Sequence, residues 1–150
     1  MEEVIWHYKA FDSLTSEELY KIIQLRTEVF VIEQECLYQD CDGKDLICGH
    51  LWATIGEEIA AYARIVPKGI SYEHEPSIGR VISNQKFRGF GLGKQLMTNS
   101  IQVIENQFKT SSIRISAQSY LKDFYSSFGF EQVSDEYLED NIPHIEMLRK

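Results

Sequence analysis

No apolar run in this chain approaches the ~20 residues that a membrane-spanning helix needs, so a membrane partner is not expected. The opening Met-Glu-Glu-Val is acidic where a signal peptide would place basic residues ahead of an apolar stretch, and cytoplasmic residence is expected. Cysteine is scarce. Cys36, Cys41 and Cys48 make an odd count, which argues against a disulfide framework and suits a reducing compartment. Positive charge is also short, with 15 Lys and Arg against 23 Asp and Glu, a net charge of −8. That balance disfavours nonspecific binding to nucleic acid or an anionic membrane. Repeats, low-complexity tracts and linkers are missing as well. What remains is 150 residues, 43% hydrophobic and 12% aromatic, read as one globular domain over residues 1–150 with a single well-buried core.

The most informative stretch present is Arg88-Gly89-Phe90-Gly91-Leu92-Gly93-Lys94. It follows an apolar run, Ile78 to Ser83, that reads as a strand. After it, Leu92, Leu96, Met97, Ile101, Ile104 and Phe108 recur at spacings of three and four, the stripe of an amphipathic helix. Strand, glycine turn, helix is the order of an anion site: glycines let a ligand approach bare backbone, and the unpaired N–H groups of the helix start point at it. Arg88 and Lys94 add full charges. The spacing excludes two common phosphate loops. A P-loop would need Gly at position 88 and Ser or Thr at position 95, which are Arg and Gln; a dinucleotide fingerprint would need Gly at 94, which is Lys.

The pattern that does fit is R-x-x-G-x-G, and with it the chain resembles the GNAT superfamily of N-acetyltransferases, where this loop holds the coenzyme A pyrophosphate. Tyr125-Ser-Ser-Phe-Gly129-Phe130 is similar to the Y-x-x-x-G-F segment of that superfamily. Three stretches resemble the narrower ElaA-type family: Val29 to Tyr38 with Glu33-Gln34, then Asp42-Gly43-Lys44-Asp45, and Glu139 to Met147 with Pro143-His144. The resemblance implies an α+β fold, a single GNAT-like domain whose central, mostly antiparallel mixed sheet has two splayed parallel strands and flanking helices. It implies acetyl-CoA as co-substrate, bound through the backbone of Val81, Ile82 and Ser83 and through Arg88, Gly89, Phe90, Gly91, Leu92, Gly93 and Lys94. No metal is implied.

The coarse reading agrees with that fold class. A strand is expected over Val4 to Lys9. A capping box at Thr15-x-x-Glu18 opens a helix whose face carries Leu19, Ile22, Ile23, Arg26, Val29 and Phe30. Residues 33–46 read as an acidic loop with an Asp-Gly turn. Strands are expected over Ile47 to Ile55 and Ile59 to Val66, joined by Gly-Glu-Glu. After the long helix, Ile113 to Ala117 alternates as a strand and Leu121 to Phe128 reads as a short helix. Two final strands are expected, near Val133 and over Ile145 to Leu148.

Acetyl transfer to an amine needs the amine deprotonated, and the departing thiolate gains from a proton donor. By the resemblance, Tyr125 matches the position of that donor; a phenol with a pKa near ~10 is protonated at neutral pH. The residues alone also leave Tyr125 as a packing tyrosine beside Phe124 and Phe128, and Tyr120 as a second phenol able to exchange roles with it. Glu33 and His144 are the two candidate bases, and a water chain in place of either stays open. Charge distribution bears on the acceptor. Residues 61–94 hold six basic and two acidic groups, residues 28–46 six acids and one base, and residues 131–146 six acids with no Lys or Arg. A basic centre between acidic flanks suits an anionic co-substrate meeting a cationic amine, either a small molecule or a peptide amine. Arg64 and Arg80 either neutralise phosphates or pair with the acidic loops.

Three patterns are set aside. Cys36, Cys41, Cys48 and His50 lack the paired spacing of a zinc site. Cys36 has no visible base to make it a nucleophile. Asp40-x-Asp42-Gly43-x-Asp45 looks like a calcium loop, but its glycine stands fourth rather than sixth. Two rival functions remain beside the N-acetyltransferase: a coenzyme A-binding sensor without turnover, and an acyltransferase like the acyl-homoserine lactone synthases. The sequence leaves room for a homodimer.

Overall fold

The computed structural model describes residues 2–150. Among the described residues, eight strands and three α-helices form two four-stranded halves. The first half runs β1 (Val4–Ala10), β2 (Gly49–Ile55), β3 (Glu58–Val66) and β4 (Ser77–Ser83), each antiparallel to the next. In the second, β8 (Ile142–Arg149) is central, pairing with β5 (Ile113–Gln118), β6 (Phe130–Gln132) and β7 (Tyr137–Glu139). This is the α+β class expected.

Helix α1 (Ser16–Arg26) begins at the anticipated capping box: Glu18 N–H donates to Thr15 Oγ1 at 3.1 Å and Thr15 N–H to Glu18 Oε1 at 2.8 Å. Past Arg26 the chain does not leave the helix. It widens into π-helical turns over Thr27–Glu33, a form that tends to mark functional segments. The acidic loop therefore begins after Glu33, close to its expected start at residue 33. Helix α2 (Leu92–Phe108) and helix α3 (Lys122–Ser126) lie on the other face of the sheet.

Both faces of the first half are covered, which is why β2 and β3 are buried along nearly their whole length. Successive side chains alternate between two cores. Leu51, Ala53, Ala61, Ala63 and Ile65 pack with Leu92, Leu96, Met97, Ile101 and Ile104 of α2. Trp52, Ile59, Tyr62 and Ile82 pack with Ile22, Leu25 and Val29 of the first helix.

Two features shape the space between the halves. Strand β4 carries a bulge: Tyr62 pairs with Ile82 and Arg64 with Gly79, so Ala63 faces both Arg80 and Val81, and Arg80 stands at φ 51°. The other is the junction of β4 and β5, which α2 connects as a crossover between parallel neighbours. Arg114 N–H donates to the Pro76 carbonyl at 3.1 Å where the two strands start, and no ladder follows; beyond that rung they splay apart.

The chain's end departs from expectation. Three strands replace the two foreseen, because Tyr137–Glu139 forms a hairpin with β8 through Asp140 and Asn141, at φ 51° and 64°. Two successive left-handed residues make a type I′ turn, and Asp and Asn tolerate that conformation.

Candidate active site

A cavity of about 800 Å³ opens where β4 and β5 part. On the β4 side it is lined by Arg80, Val81, Ile82 and Ser83, and on the β5 side by Ser116 and Gln118. The helical face contributes Arg88, Gly93, Leu96, Tyr120 and Tyr125. The opposite face contributes Glu33, Cys36, Tyr38, Tyr72, Glu139 and His144. The cavity thus connects both faces of the sheet, and it brings together all three catalytic candidates, Tyr125, Glu33 and His144.

At the helical end, the glycine turn takes a backbone that only glycine adopts freely. Gly89 stands at φ 92° and Gly91 at φ 77°, and a Cβ on either would meet nothing within 4 Å. Gly91 is also the N-cap of α2, with no side chain to satisfy the first N–H groups of a 17-residue helix. Donors of Leu92, Gly93 and Lys94 are left bare, and the helix dipole reinforces them. Among the expected binding residues, Leu92 turns its side chain into the core, so only its backbone is available. Phe90 is half exposed. Lys94 is exposed and forms no ion pair among the described residues. Arg88 points the other way: it donates to the Ser83 carbonyl at 3.1 Å and pairs with Glu33 at 3.0 Å.

Tyr125 is buried, with its ring edge-on to Phe124 and Phe130. Burial, reinforced by Tyr120, pushes its phenol well above the ordinary value. Tyr120 itself is exposed. Of the two phenols, only Tyr125 is held in place by packing.

The acidic loop is not the free cationic trap its composition suggested. Arg26 is fully buried and donates to Asp40 Oδ2 and Asp45 Oδ1, both at 2.7 Å. Arg64 donates to both carboxylate oxygens of Asp42 at 2.9 Å and to Asp45 at 3.0 Å. Arg80 donates to Asp40 at 2.8 Å, its guanidinium lying between the rings of Phe30 and Tyr38. Three arginines from α1, β3 and β4 therefore neutralise the three aspartates that looked like a calcium loop. This settles the two roles left open for Arg64 and Arg80 in favour of the acidic loop. Burial alone would raise the Asp42 carboxyl. Hydrogen bonds from Arg64 and the Lys44 N–H, with the charges of Arg64 and Arg80, outweigh it and hold the group at about 2. Nearby His50 has both ring nitrogens engaged, by Tyr62 and the Asp45 carbonyl. Burial raises the Cys48 thiol to about 11, so it is protonated at neutral pH.

On the face of the second half turned away from α2, Ser116, Tyr137, Glu139 and His144 cluster. Tyr137 pairs with His144 across the strands and stacks on its ring, and its hydroxyl bonds Ser116. His144 Nδ1 lies 2.6 Å from the Ile142 carbonyl, and Nε2 lies 3.4 Å from Glu139 Oε2.

The family model of the Acetyltransferase (GNAT) domain matches residues 11–150. The chain belongs to the GNAT acetyltransferase family. It is 43% identical to an acyl-CoA N-acyltransferase of Pseudomonas aeruginosa, with a TM-score of 0.94 and coverage of 99% of this chain and 100% of that one. ElaA of Escherichia coli follows at 38% identity and TM-score 0.92, with the same coverage. A UPF0039 protein of Schizosaccharomyces pombe is 41% identical over 149 residues, 98% of this chain and 97% of its own. The GNAT fold and the ElaA-type resemblance are thus both shown.

Sequence reasoning passed over several residues in and around this GNAT cavity. Arg26 was visible only as one position on an apolar helical stripe, yet a charge there needs a buried partner, and that was a usable signal. Glu139 stood inside a recognised stretch without a role. Ser116 and Tyr137 carry no local pattern at all.

Proposed function

We propose that this protein is an N-acetyltransferase that transfers the acetyl group of acetyl-CoA directly to a primary amine, small or peptide-borne. The observation that carries this reading is the continuity of one cavity from the uncapped glycine turn at α2, past Tyr125, to His144 on the opposite face. The residues fit an anionic co-substrate at the first end. Bare N–H groups, the helix dipole and Lys94 favour phosphates, and the open space over Gly89 and Gly91 admits them. The unpaired strand edges of β4 and β5 offer backbone donors and acceptors to an amide-bearing arm. Acetyl-CoA supplies an activated thioester; the protein's part is orientation and proton management.

In that reading Tyr125 is the proton donor to the leaving sulfur, since burial keeps its phenol protonated. Glu33 is tied to Arg88, so its carboxylate serves best by positioning that arginine at the cavity wall. His144 is the better base. The acidic loop having been neutralised internally, preference for a cationic acceptor rests on Glu139 and Asp140 at the cavity wall.

The test is continuous detection of thiol release from acetyl-CoA, with and without a panel of primary amines. Amine-dependent release is expected, with cationic amines such as diamines outperforming glutamate. Tight acetyl-CoA binding without release on any amine would refute turnover and leave a coenzyme A-binding module.

A further inference from the structure

We propose that Glu139 and His144 form one receiving site, in which the acceptor's ammonium group is held between a carboxylate and an imidazole nitrogen that then takes its proton. This rests on the acetyltransferase reading and adds to it Glu139, a fixed tautomer of His144 and an order of proton transfers.

The argument begins with the Ile142 carbonyl. A carbonyl oxygen can only accept, and it lies 2.6 Å from Nδ1 of His144, so Nδ1 carries a hydrogen. In the neutral ring Nε2 then bears the lone pair. Glu139 Oε2 lies 3.4 Å from that nitrogen, with no hydrogen bond between them. Two acceptors facing each other with nothing to share repel, and a donor cation between them turns repulsion into two charge-assisted hydrogen bonds. A primary ammonium has three N–H donors and fits that demand.

The hairpin fixes the geometry. Asp140 and Asn141 at positive φ close a two-residue turn that brings Glu139 beside Ile142, two residues from His144. His144 is buried at 7% exposure on the central strand, clamped by the stacked Tyr137 ring, whereas the Glu139 side chain is 51% exposed and can follow a ligand. Other titratable or charged groups near the pair are Tyr137 on β7, Glu146 with its partner Arg114, and Tyr72, which burial and the charges of Tyr137, Glu146 and Glu139 keep protonated. Ser116 Oγ, bonded to Tyr137, lies 3.4 Å from Glu139 Oε1 and completes the polar wall.

The step balances as follows. The ammonium gives one proton to His144 Nε2. The freed lone pair forms the C–N bond to the acetyl carbon while the C–S bond breaks. The thiolate takes the Tyr125 proton, and Tyr125 recovers one from the new amide nitrogen. His144 returns its proton to water, leaving amide, thiol and one released proton.

Two measurements test this. Kinetically, Glu139→Gln is expected to raise the KM for 1,3-diaminopropane at least tenfold with kcat changed less than threefold. His144→Gln is expected to lower kcat roughly 10²–10⁴-fold, with acetyl-CoA affinity intact in both. The second readout needs no turnover. In 15N-labelled protein the His144 ring should show the Nδ1–H tautomer, and 1,3-diaminopropane should shift its Nε2 resonance, at least tenfold more weakly in Glu139→Gln. An Nε2–H tautomer, or diamine binding indifferent to Glu139→Gln, would overturn the proposal. If no amine is acetylated but the Nε2 shift and its Glu139 dependence appear, the acetyltransferase reading fails and the ammonium site stands.

Discussion

Arg80 grips Asp40 twice, by Nε to the carboxylate at 2.8 Å and by Nη2 to the backbone carbonyl at 3.1 Å, and it does so from a left-handed φ of 51°. A non-glycine residue in that region costs of order 1–3 kcal/mol and persists only where its surroundings insist on it. Here the surroundings are the loop that walls the cavity, so the bulge of β4 and the position of residues 38–42 depend on each other.

Arg80→Gly and Arg80→Lys separate the two halves of that bargain. Glycine relaxes the backbone but releases Asp40; lysine keeps charge and strain but loses the fork. Both should fold, since Asp40 retains Arg26. Each should lower kcat/KM for acetylation by roughly tenfold or more, because sub-ångström displacement of a reacting wall is costly. Kinetics alongside circular dichroism decide it; unchanged kcat/KM in Arg80→Gly would show the bulge to be structural only.

Arg26 is the opposite case. It is wholly buried and bonded to both Asp40 and Asp45. Arg26→Met leaves buried carboxylates short of a partner, at a cost of about 3–5 kcal/mol in urea unfolding. A loss under 1 kcal/mol would mean that Arg64 and Arg80 alone satisfy the loop.

The same network fixes the acid limit. Asp42 is held down at about 2 and Asp45 is also lowered, burial in each being outweighed by arginine hydrogen bonds. A depressed carboxyl stabilises the fold above its unfolded value near 4, and that stability is lost as pH falls toward the folded value. Thermal midpoints should therefore be flat above about pH 5 and drop steeply between pH 4 and 2. Asp42→Asn should be less stable at pH 7 and show a shallower drop.

Gly93 offers a clean probe of the turn. Its φ is not left-handed, and a Cβ there would rest on the Phe124 ring at 3.7 Å, an ordinary contact. Gly93→Ala should keep the fold or gain up to ~1 kcal/mol from helix propensity. It lines the cavity, so acetyl-CoA affinity should nevertheless fall by about tenfold, ~1.4 kcal/mol. Gly91→Val is the poorer experiment, because at φ 77° a β-branched residue strains the N-cap whether or not a ligand binds there.

Tyr125→Phe keeps the ring against Phe124 and Phe130 and removes a hydroxyl that makes no hydrogen bond among the described residues. Stability should hold while turnover drops roughly 10²–10⁴-fold. Retained turnover would leave Tyr125 a packing residue.

The glycine turn was readable in the sequence because every part of its signal is local: a strand, three glycines, then a helical stripe, all between Ile78 and Phe108. The first helix was readable for the same reason, down to its cap. The fate of the acidic loop was not, since Arg26 meets Asp40 and Asp45 across 14 and 19 positions, and Arg80 meets Asp40 across 40. Composition reports the charges; only the tertiary fold reports their partners. Strand β7 escaped notice because three residues are too few for a period of two to declare itself, although Asp140-Asn141 was a turn signal. The bulge at Arg80 had no signal, since nothing in an arginine announces a left-handed backbone.

The lone rung between Arg114 and Pro76 makes the molecule resemble a book bound at one end of its spine. Two strand edges that would otherwise invite another chain to pair are turned inward, where only something as slender as an extended arm can reach them. Whatever fills that gap joins the two pages, so occupancy should register as rigidity far from the contact. Amide protons of β4, β5 and β8 should exchange more slowly with acetyl-CoA present, and the melting temperature should climb with its concentration. In this fold, binding the co-substrate and finishing the sheet would be a single event.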